Sequence, residues 1–362
     1  MSETAVGAPA LVRDLLGSCP APFTGYDRVL LGHGSGGRLS SDLVTRLFLP
    51  ALGNDVLNRL EDQGTCDLPG LANARLAMTT DSFVVRPIFF PGGDIGRLAV
   101  HGTVNDLAVG GATPLFLTAA FILEEGLSLD DLRRIVESMK AAADEAGVIV
   151  VAGDTKVVDR GKGDQIFITT TGVGLVPAGR GLSVSAARQR DRVIVSGTIG
   201  DHGMAIMSVR EGLEFETALE SDTAALNGLV EAMLSACDCI RAMRDPTRGG
   251  VSSALNEIAA ASRVGVDLVE KAVPLRDSVR AACEILGLDP LYVANEGKLI
   301  AIVAPDRAEE LVQTMRRHPL GRDAAIIGAV VDEHRGSVVM RSVAGGSRIV
   351  PMLAGEQLPR IC

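Results

Sequence analysis

Leu115-Phe116-Leu117-Thr118-Ala119-Ala120-Phe121-Ile122-Leu123 is a mostly apolar run of strand length. Leu129–Glu145 follows with apolar residues at helical spacing, and Val148–Val151 is a second short apolar run, ending in Gly153-Asp154-Thr155-Lys156. Strand, amphipathic helix and strand in succession set a grammar that extends in both directions. Upstream, a helix is expected over Asp94–Val109 with Gly110-Gly111 as its stop, and a strand over Ala74–Thr80 delivers Asp81-Ser82. Before that strand, Ser41–Leu60 reads as a helix capped near Ser40 or Ser41. Downstream, a strand over Gln165–Val176 closes the first half, and Pro177–Arg190, rich in Gly, Ser and Arg, reads as a junction.

The second half restarts with a strand at Arg192–Ser196. Strands at Val266–Val269, Leu299–Val303, Ala325–Val331 and Ser337–Arg341 mix with helices near Met204–Glu211, Thr223–Cys239, Gly250–Arg263, Leu275–Leu286 and Arg307–Arg316. The fold class is therefore α+β in two domains. The expected division is a lead over 1–30, a first domain over 31–178, a second over 187–344 and a mobile tail over 345–362.

At 362 residues and 47% hydrophobic, the chain can bury two cores. Its apolar runs are too short to cross a bilayer, and the N-terminus carries no basic segment followed by an apolar one, so the cytoplasm is the expected compartment. A net charge of −10 with no Lys/Arg cluster argues against a nucleic-acid binder, and with no Trp and with nine Phe and two Tyr dispersed no stacking platform is evident. Six scattered cysteines in such a chain read as reduced thiols. On the helix expected over Leu226–Ile240, Cys237 and Cys239 face different directions and read as core packing.

Gly32-His33-Gly34-Ser35-Gly36-Gly37 before a helix offers inward-turning N–H groups and a helix N-terminus, both suited to phosphate. It lacks the Gly-Lys-Ser/Thr ending of a P-loop. Asp81, Asn105-Asp106 and Asp154 sit at expected strand and helix ends. Singly each Asp is a cap; three separated carboxylates converging on a triphosphate would hold magnesium. Lys156, two residues after Asp154 on an extended segment, points to the same side. Arg244-Asp245-Pro246-Thr247-Arg248-Gly249-Gly250 joins two cations to a turn and a helix start, a second anion-receiving design. Glu296, in Asn295-Glu296-Gly297, lies where a loop meets a strand. His33 and His202 read as phosphate neighbours. The chain ends on Cys362, a thiol on a polar, glycine-containing tether.

Taken together, Gly-His-Gly-Ser-Gly-Gly from Gly32, Thr-Thr-Asp-Ser-Phe from Thr79, Val-Asn-Asp-Leu-Ala-Val-Gly-Gly-Ala from Val104, Ala-Gly-Asp-Thr-Lys-Val-Val from Ala152, Arg-Asp-Pro-Thr-Arg-Gly-Gly, Ala-Asn-Glu-Gly-Lys and the final Pro-Arg-Ile-Cys carry a resemblance over Leu30–Cys362. The chain resembles the HypE family of hydrogenase maturation carbamoyl dehydratases, in the superfamily of aminoimidazole ribonucleotide synthetase and selenophosphate synthetase.

The resemblance implies a homodimer whose N-terminal domains pair strands into a β-barrel, with ATP near the subunit interface. It implies that Gly32, His33, Gly34, Ser35, Gly36 and Gly37 cover phosphates, with Arg244, Asp245 and Arg248 beside them. Asp81, Asp106 and Asp154 would hold Mg2+ with Asn105 and Thr155 nearby, and Lys156 and Glu296 would handle protons. Cys362 would carry a carbamoyl group from the carbamoyltransferase HypF and, after dehydration, pass cyanide to a HypC-HypD scaffold for a NiFe-hydrogenase iron. Two other readings stay open: a sister enzyme that phosphorylates selenide or a ribonucleotide amide, and a non-catalytic carrier of metal or an iron group on Cys237, Cys239 and Cys362.

Overall fold

The protein is described from a computed structural model over residues 30–67, 73–212, 219–355, 358 and 360–362. The expected lead up to residue 29 and Pro359 of the tail lie outside the described residues.

The helix expected over Ser41–Leu60 is shorter and interrupted. α1 (Arg38–Leu43) starts from Gly37, passes through one π-type turn at Val44–Phe48 and ends as α2 (Leu49–Leu52). Pro50 lacks the N–H that an interior helical turn requires, and the chain turns extended at Gly53.

The first sheet contains β1 (Gly64–Cys66) and β2 (Ala74–Phe83). A short hairpin, β3 (Phe89–Phe90) and β4 (Gly93–Asp94), leads into α3 (Ile95–Val109). β5 (Thr113–Glu124), α4 (Leu129–Ala146), β6 (Ile149–Val158) and β7 (Ile166–Pro177) complete it. The strand order is β1-β2-β7-β5-β6, antiparallel except for β5 and β6, which α4 joins as a parallel crossover. Alternation decides the faces: along β7 every second residue from Ile166 to Val176 is buried, and its neighbours are half-buried. α3 and α4 cover the buried face and form one core with Phe83, Leu117, Ile166 and Ile168. The other face is open, and β6 is exposed along almost its whole length.

α3 begins at Asp94, whose carboxylate accepts the N–H groups of Gly96 and Arg97, and ends at Gly110. It is buried nearly all round because its far end, Ala108 and Val109, enters a core of the second half.

The second sheet follows the order β14-β13-β10-β12-β8-β11-β9. Its strands are β8 (Arg192–Val195), β9 (Ile240–Arg244), β10 (Gly265–Val269), β11 (Ile300–Val303), β12 (Ala325–Val331), β13 (Val338–Arg341) and β14 (Ser347–Ile349). α7 (Gly250–Ser262) packs on one face, and α6 (Asn227–Ala236) with α9 (Ala308–Arg317) on the other. Burial on both sides explains why β8 and β11 read as continuous apolar runs. α5 (Asp201–Arg210) and α8 (Asp277–Leu286) share a smaller core around Met204 and Val279.

Three expectations change. The helix expected over Thr223–Cys239 spans only α6; the chain leaves it extended at Cys237, whose sulfur pairs with that of Cys239 as a disulfide, both residues being buried. β9, with arginines at two of five positions, carries no strand signal of its own. The tail expected to be mobile from residue 345 is held further along: Ser347–Ile349 pairs with β13, Val350 is fully buried, and Leu353 accepts the Arg38 N–H at 2.8 Å.

Asp94→Ala removes the acceptor for two N–H groups at the start of the central helix. We expect it to lower unfolding free energy by about 1–2 kcal/mol in denaturant titrations, without displacing any residue of the cleft described next.

Candidate active site

Alternation along β2 sends Thr79, Asp81 and Phe83 to the helix-covered face. There the Thr79 hydroxyl donates to Asp106 of α3 at 2.7 Å and also lies 3.0 Å from the Asp62 carbonyl oxygen. Asp62, just before β1, binds Arg244 at the end of β9; Arg244 also reaches Glu257 at 2.9 Å. Asp245, the next residue, completes a cluster in which carboxylate oxygens of Asp62, Asp106 and Asp245 all lie within 4.8 Å of one another.

The chain then turns through Gly249 and Gly250, both at positive φ, into α7. A side chain on Gly250 would meet the Leu291 carbonyl oxygen at 2.5 Å, so the turn admits only glycine. The glycine loop closes over this turn. Gly36, at φ +70, rests on the Arg248 backbone, Gly37 on the Leu353 carbonyl, and Arg248 donates to the Gly34 carbonyl at 3.2 Å. Arg248 also lies 3.8 Å from Asp81. Gly32, Ser35 and Ser40 support the loop from within: the Ser35 hydroxyl donates to Gly32, and Ser40 bonds both the Gly36 N–H and the His33 carbonyl. His33 exchanges bonds with the Leu30 backbone.

Between these elements lies a cleft of about 490 Å³ lined by Gly36, Asp62, Asp81, Asp106, Asp245 and Arg248. A larger space of about 730 Å³ adjoins it, sharing Gly36, Val44, Glu61, Arg244 and Glu257 and adding Asn58, Leu60, Asn256 and Met352.

The second half supplies Glu296. Its N–H donates to Asp222 at 3.1 Å and its carbonyl accepts from Asn105 at 3.1 Å. A Cβ on Gly297 would lie 1.8 Å from the Asp222 carbonyl oxygen, so the turn after Glu296 is as confined as the one after Arg248. Asn105 is spent on this joint, holding Ala224 and Leu226 as well, and is a strut between the halves, not a ligand-facing group. Glu296 is 3% exposed, and its Oε1 has no hydrogen-bond partner among the described residues.

The tail enters here. Cys362 lies against Glu296 and near Arg248 and Asp81. Burial, with Glu296 beside it, pushes the thiol well above its ordinary pKa. Burial and the nearby Asp245, Asp81 and Asp222 likewise raise Glu296 well above the carboxylate range. Burial and repulsion from Asp245, Asp81 and Asp62 do the same to Asp106. Asp245 is pushed up to about 8 and Asp62 to about 6, the latter by burial despite Arg244. Hard oxygen donors crowded with too few cations fit a divalent cation of the magnesium type.

Asp154, Thr155 and Lys156 are not brought to this cluster within the subunit. β6 runs straight through them instead of ending before them. Asp154 pairs in register with Ala120 on the open face, three strands and about 14 Å from Asp81 on the covered face. Lys156 does share its side, bonding Asp154 at 2.8 Å. His202, read as a phosphate neighbour, holds the Ile361 carbonyl instead. Asp62 and Asp222 escaped the sequence reading; an acidic pair, Glu61-Asp62, opening onto a strand was the available signal for the first.

Family models for AIR synthase related proteins match residues 61–176 (N-terminal domain) and 189–341 (C-terminal domain). The chain is 62% identical over 331 residues to the carbamoyl dehydratase HypE of Azotobacter vinelandii, covering 91% of this chain and 96% of that one. The chain belongs to the HypE family. Among solved structures, HypE in complex with ATP superposes with a TM-score of 0.77 at 51% identity, covering 92% of this chain and 100% of that one. A HypE-HypF complex gives 0.81 at 49% identity, over 86% and 99%. The HypE relationship bears out the two-domain α+β reading made from the sequence.

Asp62 and Asp245 bind protons more tightly folded than unfolded, so their contribution to stability is full below the ordinary carboxylate pKa of 3.8 and is lost as pH rises through about 6 to 8. Metal-free protein should therefore melt at falling temperature across that window. Asp106→Asn, by removing one of the crowded charges, should flatten the fall, and equal slopes for the two proteins would refute the crowding.

Proposed function

We propose that this chain dehydrates a carbamoyl group carried on its own Cys362 to a thiocyanate, at the expense of ATP. The observation that carries this reading is the placing of a C-terminal thiol against Glu296 and beside Arg248 and Asp81, which line the cleft of a HypE-family fold. Among superfamily reactions on freely diffusing substrates, none would call for that thiol.

The thiocarbamate –S–C(=O)–NH₂ loses water poorly because hydroxide is a bad leaving group. Transfer of the γ-phosphoryl group of ATP to the carbonyl oxygen, with loss of one nitrogen proton, gives –S–C(–O–PO₃)=NH. Loss of the second proton breaks the C–O bond and leaves –S–C≡N with phosphate and ADP. Glu296, whose burial gives it an unusual affinity for protons, suits the role of base. Arg244 and Arg248 face the charge of the phosphates, and the glycine loop lies over them. The neighbouring 730 Å³ space, with Leu60 and Met352 beside Asn58 and Asn256, suits the nucleoside.

Asp62, Asp106 and Asp245, with Asp81 beside them, would hold Mg2+, which when bound offsets charge on the transferring phosphoryl group. The division into domains over 31–178 and 187–344, a cytoplasmic location, loading by HypF and delivery to a HypC-HypD scaffold belong to the same proposal.

So does the homodimer. Among the described residues β6 is an unpaired edge, and Met78, Phe116, Ile122, Val151 and Val157 leave an apolar strip exposed on the open face and edge. Such an edge calls for a partner, and a second copy closing the sheets into a barrel supplies it. Asp154 and Lys156, remote from the cleft of their own chain, would then serve the cleft of the second copy.

Intact mass measured on carbamoylated protein with Mg-ATP should fall by one water at the Cys362 peptide; an unchanged mass overturns the reading. Lys156→Ala and Cys362→Ala homodimers should each be inactive. Mixed and allowed to exchange subunits, they should regain about a quarter of wild-type turnover, since half the dimers are then mixed and each holds one complete site of two. No recovery in exchanged dimers would place Lys156 in its own subunit's chemistry or outside it.

A further inference from the structure

The last three residues are gripped by groups to which no function has been given above. His202, fully buried in the first turn of α5, donates from Nε2 to the Ile361 carbonyl at 2.7 Å. Its tautomer is fixed from behind: the Ser221 hydroxyl accepts the Thr223 N–H, which leaves its own proton to give to His202 Nδ1 at 2.8 Å. Arg360 forms an ion pair with Asp164 at 2.8 Å, and its carbonyl accepts the Arg86 N–H at 3.2 Å. Arg86 leans on the same carboxylate at 3.9 Å. Arg360 itself takes φ +51, a left-handed conformation that turns the next residue inward. Ile361 is 2% exposed in the core of the first half.

The second anchor is Leu353, pinned by the Arg38 N–H. Only residues 354–359 separate the two grips. The grip at the end reads two carbonyls, one guanidinium and one sec-butyl side chain. None of these belongs to the side chain of Cys362, so the same docking serves the thiol and its carbamoylated and cyanated forms.

We propose that His202 and Asp164 are positioning residues that dock the tail by reading Arg360 and Ile361, whatever group Cys362 carries. The inference rests on the dehydratase reading for its purpose, but its test does not. The docked thiol is half-buried beside Glu296, whereas an undocked tail exposes it, so the rate of alkylation at Cys362 reports docking without carbamoyl group or ATP.

The experiment uses full-length protein with Cys66 replaced by Ala, quantifying iodoacetamide labelling of the Cys362 peptide. His202→Ala should raise the labelling rate about five- to tenfold and Asp164→Asn about two- to threefold, the range expected for a buried hydrogen bond and an exposed ion pair. His202→Gln, which can return an N–H donor, should recover part of the wild-type protection, as a merely structural histidine would not. The same variants should lower single-turnover dehydration in proportion to the docked population they lose, with ATP affinity unchanged. Labelling rates equal to wild type in both His202→Ala and Asp164→Asn overturn the docking roles; Asp164 is at the surface, so that arm remains informative if the histidine variant fails to fold. Faster labelling with no dehydration even in wild-type protein would leave the docking intact and remove the dehydratase reading.

Discussion

Carboxylates crowded out of water govern the rest of this molecule. Asp62, Asp81, Asp106, Asp245 and Glu296 converge from both halves of the chain, and Arg244 and Arg248 face them at close range. Like charges in a medium that screens poorly cannot all ionise, so each raises its neighbours' proton affinity. The same crowding that destabilises the empty cleft prepares it for a cation and a polyanion together. A cation without phosphates leaves the arginines underused, and phosphates without a cation meet the carboxylates as like charges.

The cleft is also where the glycine loop and the tail meet. Gly36 and Gly37 admit no side chain because Arg248 and Leu353 occupy that space, and Arg38 holds the Leu353 carbonyl. Whatever orders the glycine loop therefore acts on the base of the tail through direct contact. Coupling of this kind needs no long pathway: three backbone segments share one joint.

The sequence makes local order legible where caps and periodicity agree. Asp94 and Gly110 bound α3, and the β12 range is read to the residue, because those elements satisfy their own backbone rules. Reading fails where the deciding partner is distant. β9 and β14 are strands because a neighbour's edge is there to pair with, and arginines at Arg241, Arg244 and Arg348 hide that fact. Asp154 illustrates a subtler limit. Its glycine-flanked motif is conspicuous, yet which face of the sheet it takes depends on β6 running on through Val158, which no local signal announces. Asp62 is the converse case: inconspicuous in sequence, it becomes central only because Thr79 and Arg244 fold onto it. Pro50, visible throughout, has no N–H to give to the turn before it, and there the helix takes its π-type turn over Val44–Phe48.

A thiol that must be both loaded and processed faces opposed electrostatic demands. Nucleophilic attack on an incoming carbamoyl donor needs the thiolate, and burial beside Glu296 holds the thiol protonated. Dehydration needs the reverse environment, poor in water and rich in fixed charge, where an activated carbonyl is protected from hydrolysis. One static position cannot satisfy both. Placing the sulfur at the end of six residues strung between Leu353 and Arg360 separates the two steps in space, with the cleft made hostile to the thiolate so that loading belongs outside it. The high pKa of inserted Cys362 thus fits a site that handles only what the sulfur already carries.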